Sequence, residues 1–268
     1  MAGAMAKLME RPVQQNTLTI TPLQGIPGVR PGDDLAALLA AAFDRHAIVP
    51  QAGDILVVAQ KIVSKAEGRY LDLDKLEPSP RARELAAITG KDPPFVEAVL
   101  SESVEVVRAK PNVLIVATRQ GPILANAGID QSNLEPEDHG RRVLLLPQHP
   151  DRSAATLRAQ LASSFGAGIG VIISDSVGRP WRLGTVGLAI GAAGVPSLWD
   201  RRGEADLTGR PLQVTEVAFA DAVAAAAVLA MGEAAEGCPA ALVRGLTCAA
   251  PERPAAALLR PETEDLFR

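Results

Sequence analysis

Two short apolar runs constrain the fold more than anything else in this chain: Ile55-Leu56-Val57-Val58-Ala59 and Val171-Ile172-Ile173-Ser174. Both are continuous rather than alternating and rich in β-branched residues, the pattern of a strand covered on both faces. The chain therefore needs a sheet sandwiched between layers. With 268 residues, 47% of them hydrophobic, it has the material for one. Only five Phe, two Trp and one Tyr are present, so the core must be built from Ala, Val, Leu and Ile.

The remaining segments supply further strands and helices. Leu18–Leu23 reads as a strand, and Leu35–His46 as a helix capped by Asp33 or Asp34. Arg81–Ile88 and Pro94–Glu102 read as short helices. Val113–Thr118 reads as a strand, with Ile123–Ala125 as the second arm of a hairpin. Val143–Leu146 is a further strand, and Ser153–Ser164 a helix with Ser153 as its cap. The second apolar run should end directly at Asp175, and Gly184–Gly194 fits no single period. Leu212–Phe219 and Ala241–Val243 read as strands, Ala220–Met231 as a helix, and the tail from Pro251 as partly helical or loose. Strands and helices mix without a clean βαβ repeat, which favours an α+β fold of mixed sheets with flanking helices. One domain over residues 1–268 is expected, with a break at Pro147–Pro150 that could separate two lobes.

Charge and composition exclude several classes. The net charge is −4, and no basic run exceeds the pairs Arg141-Arg142 and Arg201-Arg202, so no nucleic-acid partner is expected. Cys238 and Cys248 make neither a disulfide framework nor a zinc motif. Met1–Pro12 lacks the apolar run of a signal peptide, and no stretch reaches the roughly 18 to 20 apolar residues of a spanning helix. The expectation is a cytoplasmic protein with no membrane partner. His46, His139 and His149 have no metal spacing, and no G-x-S-x-G elbow is present.

Four constellations could carry chemistry. In Asn126-Ala127-Gly128-Ile129-Asp130-Gln131-Ser132-Asn133 the side chains of Asn126, Asp130 and Asn133 offer oxygens suited to a hard cation; an Asx-rich turn reads equally from the spacing. Ser174-Asp175-Ser176-Val177-Gly178-Arg179 follows a buried strand, where mixed sheets place metal and phosphate ligands. Arg179 and Arg182 have forks suited to phosphate or carboxylate oxygens, a substrate carboxylate among them. Met231-Gly232-Glu233-Ala234-Ala235-Glu236-Gly237 sets two carboxylates at the unfavourable end of a helix dipole, a cost that a bound cation would offset. Gln60-Lys61-Ile62-Val63-Ser64-Lys65-Ala66-Glu67-Gly68-Arg69 lacks the glycines of a phosphate loop and, taken alone, reads as a solvated charged turn.

Taken together, these segments resemble one family. Ser64-Lys65-Ala66-Glu67-Gly68-Arg69, the Asn126–Asn133 and Ser174–Arg179 motifs, and Val243-Arg244-Gly245-Leu246 are similar, in this order, to motifs of the F420-0:γ-glutamyl ligases. Gly187-Leu188-Ala189-Ile190-Gly191 and Asp206-Leu207-Thr208-Gly209-Arg210 also fit, so the similarity runs from about Leu18 to about Arg244.

The resemblance implies an α+β fold of the F420 glutamyl ligase type in an intertwined, butterfly-like homodimer. It implies a GTP-dependent ligase that joins L-glutamate to the terminal carboxylate of F420-0, or a related F420 precursor, giving F420-1 and then F420-2 or longer tails. Two Mg²⁺ or Mn²⁺ ions would assist, with K⁺ as a helper. Carried over by position, Asp130, Asp175, Ser176 and Glu233 are the implied metal ligands. The implied nucleotide contacts are Ile26, Pro27, Gly28, Val29, Gln60, Lys61, Lys65, Asn133, Leu229, Ala230, Met231, Gly232, Ala234, Ala235 and Glu236. Some relatives carry a C-terminal nitroreductase-like domain, which is not expected here. Two other readings remain: a small-molecule carboxylate kinase using the same site, and a non-catalytic F420-binding protein.

Overall fold

The computed structural model describes residues 17–132 and 141–265. In chain order its first elements are β1 (Thr19–Pro22), α1 (Leu35–Arg45), β2 (Ile55–Ala59), α2 (Gln60–Ala66), β3 (Tyr70–Asp72), α3 (Pro80–Thr89) and α4 (Pro93–Ser101). Then come β4 (Ser103–Lys110), β5 (Val113–Thr118), β6 (Ile123–Ala125), β7 (Arg142–Leu144), α5 (Pro150–Phe165), β8 (Gly170–Arg179) and β9 (Arg182–Ala193). The last are β10 (Leu198–Asp200), β11 (Glu216–Ala218), α6 (Phe219–Met231) and β12 (Ala240–Arg244).

The two continuous apolar runs, β2 and β8, pair in parallel inside a five-stranded sheet ordered β1-β12-β2-β8-β9, whose other pairings are antiparallel. Alternate side chains of β2 and β8 feed two different cores. Leu56, Val58, Val171 and Ile173 meet Leu39 and Phe43 of α1 and Leu157 and Leu161 of α5. Ile55, Val57 and Ile172 meet Phe219, Val223, Ala224 and Ala227 of α6. Burying both faces is what removes the polar alternation from these strands.

A third core lies between α2 and α5 in the chain. Leu85 of α3 and Phe95, Val96 and Val99 of α4 cover Leu114 and Val116 of the β4-β5-β6 sheet. Val143 of the β3-β7 pair joins the same core. The structure is thus α+β with mixed sheets and flanking helices, as expected.

Several local expectations are corrected. Residues 60–66 are a helix and not a solvated charged turn: Gln60 is 2% exposed and Ser64 fully buried. The Ser64 hydroxyl donates to Gln60 Oε1 at 2.9 Å one turn away, so two polar residues satisfy each other inside the fold. β8 does not end at Asp175 but continues to Arg179, because β9 pairs with it along its whole length. The glycine-rich segment is β9 itself. Ser153 is not the cap of α5, which starts at Pro150 after His149; its hydroxyl reaches the Glu67 carboxylate instead. β3 and β4 were not foreseen, and Leu212–Phe219 shortens to β11. Asp34 is the cap of α1, accepting from the Ala37 N–H at 3.0 Å. Among the described residues no helix is long and apolar enough to cross a membrane.

Candidate active site

Strand register gathers four distant segments at one edge of the main sheet. β2 and β8 run parallel with Ala59 beside Ser174, so both point out of the sheet at the same edge. β12 runs against β2 with Ala240 beside Val58, so the residues leading into β12 lie there too. β1 runs against β12 with Pro22 beside Ala241, and the chain leaving β1 reaches the same place. The carboxyl ends of parallel strands are where open sheets bind ligands. A cavity of about 390 Å³ opens at this edge. Its walls are Ile26, Pro27, Gly28 and Val29 after β1, Gln60, Lys61 and Lys65 in α2, Ser174-Asp175-Ser176 in β8, and Met231–Pro239 ahead of β12.

Each wall has a local cause. Gly25 takes φ +74°, and the Arg45 guanidinium at the end of α1 donates to its carbonyl. The Gln24 N–H donates to His46 Nε2 at 3.0 Å, so α1 anchors the loop carrying residues 26–29. In α2 the buried Ser64 hydroxyl fixes Gln60, and Gln60, Lys61 and Lys65 all line the cavity, the two lysines one turn apart. α6 stops at Gly232, whose φ of 82° suits glycine. Beyond it the Ala234 N–H donates to Glu236 Oε2 at 2.7 Å and holds the loop shut.

The charges in and beside this cavity are mixed; Asp130 is not part of the wall but stands next to it, against Lys61. Lys61 Nζ stands 2.8 Å from Asp130 Oδ2. Asp130 Oδ1 accepts from the Ser132 N–H at 2.8 Å and its hydroxyl at 2.7 Å, so the Asx turn that the spacing left open is formed. The Asp130 backbone exchanges two 2.9 Å hydrogen bonds with Leu144, which fixes its position. The Ser176 hydroxyl donates to Glu233 Oε1 at 2.8 Å. Burial pushes the Asp175 carboxyl up to about 6 against the pull of the Ser176 N–H; the Asp130 and Glu233 carboxylates add to the rise, and Lys61 opposes it.

Asp130, Asp175, Ser176 and Glu233 offer oxygen donors only, which suits a hard divalent cation. The Lys61 ammonium already occupies a cation's place on Asp130. Asp130 is paired with Lys61, Glu233 accepts from the Ser176 hydroxyl, and Asp175 accepts from the Ser176 N–H. Among the described residues no three His, Cys, Asp or Glu side chains form a ready-made metal cluster. A phosphorylated ligand here would meet Lys61 and Lys65 together with the carboxylates of Asp175, Glu233 and Glu236, and a divalent cation would relieve the repulsion.

Other anticipated residues are placed differently. Leu229 is 88% exposed, and neither it nor Ala230 lines the cavity. Arg179 and Arg182 pair with each other at the turn of the β8-β9 ribbon, outside the cavity wall, and Arg179 Nη1 donates to the Gly184 carbonyl at 3.1 Å. Asn133 lies outside the described residues. Cys238 and Pro239 were not anticipated in the wall; their position just before a buried strand was the only signal. Burial raises the Cys238 thiol, whose Sγ–H donates to the Ala240 carbonyl at 3.4 Å.

Fold and cavity together define an α+β protein in which lysines and carboxylates meet at the end of a parallel strand pair, a combination suited to a phosphorylated ligand and a divalent cation. Comparison with known proteins narrows this class. Residues 25–245 match the model of the F420-0:Gamma-glutamyl ligase family. Over 259 residues the chain is 48% identical to the coenzyme F420:L-glutamate ligase of Methanopyrus kandleri, covering 94% of this chain and 98% of that protein. The protein of the same name from Methanothermobacter thermautotrophicus is 45% identical, with 94% and 99% covered. That of Archaeoglobus fulgidus is 44% identical, with 93% and 96% covered. This chain belongs to the F420-0:γ-glutamyl ligase family.

Proposed function

We propose that this protein joins L-glutamate to the terminal carboxylate of F420-0, or of a related F420 precursor, using GTP. The product is F420-1, then F420-2 or longer tails, and the working unit is a homodimer. The observation that carries the reading is the meeting of Lys61 and Lys65 with Asp175, Ser176 and Glu233 in one cavity, from segments far apart in the chain.

A carboxylate is a poor acyl donor, so it must be activated first. Its oxygen attacks the γ-phosphorus of GTP, the bond to the β–γ bridging oxygen breaks, and GDP leaves. The glutamate nitrogen then attacks the carbonyl carbon of the acyl phosphate, loses a proton as the amide forms, and inorganic phosphate departs. Lys61 and Lys65 bind the phosphates, and residues 26–29 and the 231–236 loop enclose the nucleotide and keep water from the acyl phosphate. Bound divalent cations, two Mg²⁺ or Mn²⁺ with K⁺ assisting, would neutralise triphosphate charge, and Asp130, Asp175, Ser176 and Glu233 are the residues that would hold them. Arg179 and Arg182, outside the cavity, are given no step.

The test is incubation with F420-0, GTP, Mn²⁺ and L-glutamate, followed by mass analysis. Products heavier by one or more glutamyl units, lost without GTP or metal, are expected, and Asp130→Ala should abolish them while leaving the fold intact. GDP release without glutamate addition would instead make the protein a carboxylate kinase. F420 binding that needs neither nucleotide nor metal would make it a carrier.

A further inference from the structure

A phosphate-binding role for Lys61 does not account for the carboxylate that its ammonium touches. Lys61 lines the cavity from α2, yet its ammonium is not aimed at open space: it sits 2.8 Å from Asp130 Oδ2. The Asp130 side chain is only 15% exposed and that of Lys61 34%, so the pair is partly shielded and stronger than a surface ion pair. Asp130 cannot turn away, because its other oxygen is held by two bonds from Ser132 and its backbone by Leu144. Lys61 hangs on four rotatable carbons and can move.

Resting on the ligase reading above, we propose that Lys61 is the built-in counter-ion of Asp130, and that a divalent cation and the ammonium compete for this carboxylate. Two consequences follow. A cation binding at Asp130 must displace Lys61, so the empty site is held at low metal affinity. The displaced ammonium is then free for an anion in the same cavity, so nucleotide phosphate and metal each favour the other's binding through one side chain. Coupling of this kind is reciprocal: whatever nucleotide does to metal affinity, metal does equally to nucleotide affinity. Lys61 thereby acts as a positioning residue that discourages metal or nucleotide from binding alone.

The experiment measures Mn²⁺ affinity directly, by the electron paramagnetic resonance signal of free Mn²⁺, on full-length protein with and without GDP. Wild type should bind Mn²⁺ weakly alone and about tenfold more tightly with GDP, a coupling of ordinary size. Lys61→Met should bind Mn²⁺ about tenfold more tightly than wild type without nucleotide and gain less than wild type does when GDP is added. Lys61→Arg, which keeps the charge, should resemble wild type, and circular dichroism confirms that each variant folds. If Lys61→Met leaves Mn²⁺ affinity unchanged or weaker while Asp130→Asn lowers it, the competition is overturned and the metal site stands. If no form binds Mn²⁺ in a way that depends on Asp130, the metal assignment falls and the competition with it.

Discussion

Asp175 carries the sharpest residue-scale prediction. Its carboxyl is raised to about 6, first by burial, so the folded protein holds a proton that an unfolded chain, with an ordinary value of 3.8, gives up. The stability contributed by this group is therefore fully present below about pH 4 and lost as pH rises through 6. Asp175→Asn removes that loss. In the presence of a chelator the variant should gain on the order of 2 kcal/mol over wild type at pH 8 and nothing at pH 4. Thermal unfolding at the two pH values measures this; an equal change at both would mean that burial of charge is not what Asn relieves. The same variant should lose ligase turnover, separating stability from activity at a single atom pair.

At the scale of elements, β9 shows why a glycine-rich segment can be a buried strand. A Cβ at Gly187 would lie 2.5 Å from the Ala224 carbonyl of α6, and one at Gly191 would lie 2.4 Å from the Pro150 carbonyl at the start of α5. Both neighbours are backbone and cannot swing aside. Between the two glycines the pairing with β8 shifts register, from Ile173 beside Gly191 to Ser174 beside Ala189, so each meets a different helix. Gly191→Ala should therefore cost about 1–3 kcal/mol, the usual penalty of overfilling a packed interior. A urea midpoint lowered without a change in slope would confirm it, and an unchanged midpoint would show that α5 can retreat.

The same scale explains what could be read in advance. Ile55–Ala59 and Val171–Ile173 were legible because full burial erases polar residues from a strand, and α1, α3, α4 and α6 because their apolar spacing is helical. α2 was hidden, since its buried side includes Gln60 and Ser64, whose mutual bond no single position announces. β4 was hidden because Glu105, Arg108 and Lys110 break its alternation on a half-exposed sheet. Asp175 and Glu233 were recognisable as candidates by residue type and neighbours. That Lys61 would sit on Asp130 was not, because the contact depends on how α2 and the 126–132 segment come together in space.

On the scale of the whole molecule, several large apolar side chains stand in water outside the cavity wall. Leu183 is 99% and Trp181 88% exposed at the turn of the β8-β9 ribbon, and Leu207 and Val214 are 92% and 85% exposed in the loop between β10 and β11. Such groups in water favour association. The homodimer proposed above should appear in light scattering at about twice the 28.0 kDa chain mass, and Leu183→Asp should shift it toward the monomer. A monomeric wild type would remove the dimer from the proposal.

The order of strands in the main sheet also has a consequence in time. Among the described residues β1 has a single neighbour, β12, with Thr19 beside Arg244. As the chain leaves the ribosome, β1 waits for its partner in this sheet until β12 has been made. Only then can the loop after β1 and the loop before β12 close over α2. A chain cut short between Ala193 and Met231 would keep four of the five strands of the main sheet, yet β1 would have no partner in it and the cavity would lack its 231–239 wall.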